Sequence, residues 1–220
     1  MTNYTPQILR IKKKLQQAKD KDELFKVFGA GSHKYEINAP TSILEIDTFE
    51  QHYGIQLPKS FRCFVLNIGN GGRSYLNSGA GPFFGIYPFG ENLDDLIHKN
   101  VEQHLKKECT LHPHITESQW DELTDPFYED DISDENYEEL NGALYGGILP
   151  LGSQGCSFIH ALVLNGPYKG MVVNLDRGGL SPPKFSEDKN FLDWYERWLD
   201  EIISGKLITT CPSWFGYPKK

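Results

Sequence analysis

No stretch of this chain approaches the roughly 20 consecutive apolar residues that would cross a bilayer. Its N-terminus also lacks the apolar core of a signal peptide. A soluble, cytoplasmic protein that does not engage membrane is therefore expected. Cysteine is scarce: Cys63, Cys109, Cys156 and Cys211 lie far apart and form no CxxC pair. This disfavours a disulfide-dense scaffold and suggests free thiols in a reducing compartment, although distant cysteines can still pair in a fold. Lys and Arg are missing altogether from Glu117 to Glu139, which holds eleven Asp or Glu. A surface made from that stretch repels nucleic acid and attracts a basic partner.

The motifs of several enzyme classes are incomplete. Gly79-Ala-Gly-Pro-Phe-Phe-Gly85 is glycine-rich, but it has the wrong spacing for a phosphate loop and no Lys-Ser/Thr pair. Leu151-Gly-Ser-Gln-Gly155 lacks the first glycine of a GxSxG nucleophile elbow, and His160 is the only histidine after Ser153. Cys156 and His160 would share the face of a strand, yet four residues at about 3.3 Å each separate them by roughly 13 Å, too far for a nucleophile and its base. Cys109, His112 and His114 are the best metal candidates by chemistry, but their CxxHxH spacing matches no defensible zinc site. No catalytic residue, metal or cofactor is expected.

What the chain does have is periodicity. Phe158–Leu164 and Met171–Leu175 are apolar runs joined by Asn165-Gly-Pro-Tyr-Lys-Gly170, which predicts a hairpin with a loop longer than the tightest type. Both faces of the first run are apolar, so it belongs in the middle of its sheet. The preceding residues, from Gly147, read as a loop feeding that hairpin. Ile8, Ile11, Leu15 and Ala18 form one stripe of a helix whose other faces carry Arg10, Lys12, Lys13 and Lys14. Such a helix either packs on the domain or touches an anionic membrane or acidic partner. Residues 1–34 carry +5, leaving −13 of the net −8 for the remainder.

His33–Ile37 is a candidate short edge strand. Ser42 and Glu45 stand in capping-box spacing before a helix whose buried stripe is Ile43, Ile46, Phe49 and Tyr53, and which ends at Gly54. Pro58 opens the next helix, with Phe61, Phe64, Val65 and Ile68 on one face, and Gly69-Asn-Gly-Gly72 stops it. Asn70-Gly71 is a turn, or exposed backbone that meets a partner. Leu93, Leu96, Ile97, Val101 and Leu105 mark another helix. The acidic stretch reads as a surface excursion with a short helix near Trp120 and Leu123. Phe191–Ile203 is a strong amphipath with Trp194 and Trp198 on its apolar half.

Taken in order, Phe49-Glu50, Tyr53-Gly-Ile-Gln-Leu-Pro58, Phe61-Arg62, Asn67-Ile-Gly-Asn-Gly-Gly72 and Gly85-Ile-Tyr-Pro88 resemble the SUKH superfamily, which includes the fungal Smi/Knr cell-wall synthesis regulators. Gly147-Ile-Leu-Pro-Leu-Gly152, Gln154-Gly-Cys156, Leu162–Gly170 and Phe191–Trp198 are similar to its bacterial branch. The resemblance implies an α+β fold: a single domain with a twisted, mainly antiparallel sheet flanked by helices. The domain would span 35–204, with an acidic insertion at about 109–141, a basic helical segment at 1–34 and a tail at 205–220. It also implies a non-enzymatic binding role, in bacteria that of an immunity protein against a polymorphic or contact-dependent toxin, often a nuclease. The partner expected here is a basic toxin domain. The residues assigned to meet it are Asn70 and Gly71, Gln154 in the Gly152–Cys156 loop, and Glu129, Asp130 and Asp131 in the acidic stretch. A regulatory scaffold in cell-wall synthesis or signalling is the alternative, and a metal enzyme using Cys109, His112 and His114 the third.

Overall fold

The computed structural model describes residues 3–129 and 131–210. Its centre is an antiparallel sheet of four strands in sequential order: β1 (Ile148–Gly155), β2 (Phe158–Val163), β3 (Val172–Asp176) and β4 (Lys184–Phe185). The expected hairpin is β2–β3, with Ala161 opposite Val173 and His160 opposite Asn174. The residues before it are not a loop. They form β1, which lies antiparallel to β2 with Leu149 opposite Leu162, and its register shifts between Pro150 and Gly152 and again between Ser153 and Gly155. Proline and two glycines hide this strand in the sequence. It tolerates them because it is an edge, where the outward groups need no ladder partner.

That edge is closed by the glycine-rich loop. Tyr87 N–H donates to Leu151 O (2.7 Å) and Phe84 N–H to Ser153 O (3.3 Å), so the unpaired row of a bare edge strand is covered. Gly152 is required by this closure: a Cβ there would sit 2.1 Å from Gly85 O. The motif that resembled a truncated nucleophile elbow is a close approach of two backbones.

The alternation in β2 sorts the core into two layers. Leu162, Leu164 and Val172 join the larger cluster with helices α1 (Thr5–Lys21), α3 (Ile43–Tyr53), α4 (Lys59–Asn67) and α8 (Phe191–Ile203). Ile159, Ala161, Val163, Val173 and Leu175 face the other way, onto Trp120, Leu144 and Tyr145. Helices therefore cover both faces of the sheet. Trp194 and Trp198 are fully in the core, and Tyr195 reaches through it to donate to Ala80 O at 2.7 Å.

Local chemistry explains the helix ends. Ser42 and Glu45 make the reciprocal box, and Gly54 closes α3 in a left-handed conformation (φ 62°); of its expected stripe Ile46 and Phe49 are buried, whereas Ile43, in the first turn, is exposed. The basic helix α1 packs on the domain. Ile8, Ile11 and Ala18 are buried, and Arg10 and Lys14 converge on Glu196 of α8 at 2.9 and 2.8 Å. Lys12, Lys13 and Lys19 have no acidic partner among the described residues.

Three further expectations are revised. The edge strand at His33–Ile37 does not form: Ala30–His33 is a helical turn, α2, and Lys34 and Tyr35 take left-handed backbone (φ 50° and 58°) that no strand admits. The single helix from Leu93 to Leu105 is broken. A 3₁₀ turn at Leu93–Asp95 and the short helix α5 (Val101–Leu105) are separated, and Asn92 and Asn100 start each piece from a left-handed conformation. In the acidic stretch the expected short helix near Trp120 and Leu123 is α6 (Glu117–Thr124), but the stretch is no mere surface excursion: a 3₁₀ turn (Asp125–Tyr128) and α7 (Asp134–Leu144) follow, and it buries Trp120 against the sheet's second face. Last in the described chain is α9 (Lys206–Thr209).

Candidate protein-binding cleft

The acidic segment is built to hold a set of tyrosines in place. Thr116 and Gln119 form a capping box that starts α6. One turn on, Trp120 is buried and its indole N–H donates to Gly179 O at 2.7 Å, fixing the helix to the turn after β3. Asp125-Pro126 then tightens the chain, setting the Phe127 ring 5.3 Å from that of Tyr137 and letting the Tyr128 hydroxyl donate to Gly178 O at 3.1 Å. Ser133 caps α7, and Asp134 and Glu135 in its first turn suit the positive end of the helix dipole. Asn141 anchors the far end by donating to Leu96 O (2.9 Å), and Tyr145 donates to Asp176 O at 3.4 Å.

Together these elements form a half-open cavity of about 110 Å³ walled by Phe127, Tyr128, Tyr137, Asn141, Tyr145 and Arg177. It adjoins a wider trough reaching Asp95, Cys156 and Ser157. Drug- and cofactor-sized pockets run to about 300–1,000 Å³, so the smaller cavity by itself suits the end of one side chain. Around it, Leu123, Tyr128, Tyr137 and Leu180 are exposed, Leu180 at 81% and Tyr128 at 58%. Aromatic and aliphatic anchors with a charged rim are the composition of a protein interface.

The charges are arranged around that site. Arg177 pairs with Asp95 and donates to Cys156 O (3.0 Å), so its cation is already matched. Asp176 is buried, and its Oδ1 accepts from Ser157 Oγ (2.7 Å) and Gly178 N (3.0 Å). The Tyr145 hydroxyl is held well above its ordinary pKa, by burial first and then by the negative field of Asp176 and its neighbouring tyrosines.

Of the residues assigned from sequence, Glu129 and Asp131 are exposed beside this cleft, in the connection between Tyr128 and α7. Asp130 lies outside the described residues, as do Cys211 and the end of the tail. Asn70 and Gly71 are elsewhere and serve the fold. Asn70 Oδ1 accepts from Phe89 N at 2.6 Å, and Gly71 is buried in a left-handed conformation (φ 65°) where a Cβ would meet Asn77 O at 2.8 Å. Gln154 is not in a surface loop. It is completely buried in β1, and its amide donates to Asn174 Oδ1 across the sheet.

The remaining chemical candidates are also dispersed. Ser153 is buried and its hydroxyl accepts from Gly155 N (3.0 Å). His160 is buried with Nε2 3.1 Å from Gly85 O, and burial lowers its pKa to about 4, so a neutral Nε2–H donates there. Cys156 is exposed in the β1–β2 turn, whereas His160 is completely buried. Cys109 is buried, its thiol pushed up to about 11 by that burial, while His112 is half-buried and His114 exposed. Among the described residues no three His, Cys, Asp or Glu side chains converge to hold a metal, and no helix is long and apolar enough to cross a membrane.

Sequence reasoning missed Tyr128, Tyr137, Arg177 and Leu180. The available signal was aromatic interleaving: Phe127-Tyr128 and Tyr137 stand among the acids, where charge counting looks past them.

A family model, that of the SMI1 / KNR4 family (SUKH-1), matches residues 40–197, a span that includes the acidic segment and leaves α1 outside. No curated protein and no solved structure matched the chain.

Proposed function

The chain belongs to the SMI1 / KNR4 family (SUKH-1), and from that premise we propose that it is a non-enzymatic protein-binding module, specifically an immunity protein. It neutralises a basic toxin domain, such as a nuclease, by direct binding in the cytoplasm. The observation that carries this reading is the cleft itself. Exposed Tyr128, Tyr137 and Leu180 supply apolar contact area, and the surrounding acids supply the field that draws in a cationic surface. The bacterial branch of the family supports the choice of a toxin as partner.

The test is to co-express the chain with the toxin encoded beside it and to measure complex formation and rescue of growth. Binding should weaken as salt rises and fall when Glu129, Asp130 and Asp131 are changed together to Lys. The reading is wrong if no neighbouring toxin is bound or neutralised.

One observation favours a second reading, a regulatory scaffold. A groove between α1 and the residues around Tyr35 presents Lys12, Lys19 and Arg73, and the acidic cleft stands on the other side of the sheet. A protein with two oppositely charged faces can bridge two partners. Recovery of a ternary complex in place of a binary toxin complex would support it.

A further inference from the structure

The tyrosine cleft has the size and lining of a pocket for one side chain, and its lining specifies which. We propose that it takes a single arginine of the protein partner, inserted between the rings of Tyr128 and Tyr137, as the anchor of the interface. This rests on the cleft being the partner surface.

Volume gives the first argument. About 110 Å³ is below the roughly 150 Å³ engineered cavity that accepts benzene, so it has room for the planar head of one side chain, a guanidinium, while the stem of that side chain lies in the wider trough that adjoins it. The second argument is hydrogen-bonding capacity. The Tyr128 and Tyr145 hydroxyls, both of cavity-lining residues, spend their protons on the carbonyls of Gly178 and Asp176, which leaves their oxygens only acceptor capacity. An entering group must therefore bring donors. The third is charge. Arg177 is the only cation of the wall among the described residues, and Asp95 already neutralises it; buried Asp176 precedes Arg177, and exposed Glu129 and Asp131 follow Tyr128 in the chain, which leaves the site negative.

Lysine also carries charge and donors, but its ammonium is compact and strongly hydrated. A guanidinium is planar, less hydrated and stacks on aromatic faces. A cavity walled by Phe127, Tyr128, Tyr137 and Tyr145 offers rings and few polar groups to replace water, which favours arginine. An apolar anchor would fill the space and leave the tyrosine oxygens and the negative field unanswered.

The experiment uses the full chain and three blocked tripeptides, acetyl-Gly-Arg-Gly-amide and its lysine and citrulline counterparts, titrated at fixed ionic strength into ¹⁵N-labelled protein. The arginine peptide should shift the amides of Tyr128, Tyr137, Gly178 and Gly179 saturably. Its affinity should be at least about tenfold above that of citrulline, which keeps the shape and loses the charge. Tyr137→Phe should retain binding and Tyr137→Ala lose it, with the amide spectrum of the remaining fold unchanged. Equal binding of citrulline, shifts confined to other surfaces, or no saturable shift overturns the proposal. Toxin binding separates the two levels. If the toxin binds and Tyr128→Ala with Tyr137→Ala changes its affinity less than twofold, the anchor is wrong and the binding role stands. If the toxin does not bind at all, the binding role itself has failed.

Discussion

Glu196 on α8 accepts from Arg10 Nε at 2.9 Å and so ties together two helices 186 residues apart in the chain. The same carboxylate takes Lys14 at 2.8 Å and Gln7 at 3.0 Å. Burial alone would raise its pKa, but these donors together hold it down to about 2. Glu196→Ala should therefore destabilise the fold by about 1.5–3 kcal/mol, the range for hydrogen bonds to a charged group. Glu196→Gln should cost less. Urea unfolding midpoints measure both, and α1 should show faster amide exchange than α8 in the alanine variant.

Acid should unfold the protein starting well above the carboxylate range. His33 and His160 are buried, and burial lowers each imidazole to about 4, with Asp22 partly opposing this for His33. The unfolded chain takes up those protons near pH 6.5 and the native one does not. Stability present above pH 6.5 is thus lost as pH falls toward 4, by on the order of 3 kcal/mol per imidazole at the lower end. Equilibrium unfolding at half-unit pH steps will show the slope, and a flat profile between 6.5 and 4.5 would contradict it.

Gly152→Ala should destabilise by about 1–3 kcal/mol, the usual penalty for overpacking. The added Cβ would meet Gly85 O at 2.1 Å and His160 Nε2 at 2.5 Å, so it must push the covering loop off β1. Proteolysis within residues 79–87 should accelerate in parallel. A variant with wild-type stability would show that the loop yields without cost.

Trp120→Phe should cost about 1–2 kcal/mol by removing the indole donor and leaving Gly179 O unanswered. Glu129→Lys with Asp131→Lys, at exposed positions, should stay within about 0.5 kcal/mol of wild type. Thermal melts of both decide whether loss of partner binding in the charge variant reflects the surface or the fold.

Thiol reactivity in the native state should follow exposure: Cys156 fastest, Cys63 slower and Cys109 slowest. Cys156 is exposed, Cys63 is half-buried with its pKa raised by burial, and Cys109 is buried with its thiol pushed up to about 11. Pulsed maleimide labelling read by peptide mass spectrometry resolves each site, and Cys109 should label only on unfolding.

Much of this architecture is legible in the residues themselves. The box at Ser42 and Glu45, the two apolar faces of Phe158–Leu164 and the broad apolar half of Phe191–Ile203 each follow from short-range rules, and each element stands where they place it. The failures have a common cause, namely contacts that sequence spacing does not contain. Leu96 and Ile97 keep helical spacing with Leu93 and Leu105, but they are drawn into the second core with Cys109 and Leu111, and Asn92 and Asn100 take the turns this needs. β1 looks like a loop because its Pro150 and Gly152 make sense only once the Gly85 backbone lies against them. Gln154, assigned to a surface from its place beside glycine, is interior because β1 is a strand. In the cleft, the acids were visible as a charge run. The aromatic residues between them became a site only when Gly178 and Gly179 were brought against Tyr128 and Trp120 from 50 and 59 residues away.

The two-sided covering of the sheet has an electrical consequence. The helix with unmatched Lys12, Lys13 and Lys19 belongs to one layer and the acidic helices to the other. Each helix is about 10–12 Å across, and the Debye length in physiological salt is about 8 Å. The two poles are therefore screened from each other and act as separate charges on one body. The net −8 then describes neither: each face should meet a partner of opposite charge on its own terms, with its own dependence on salt.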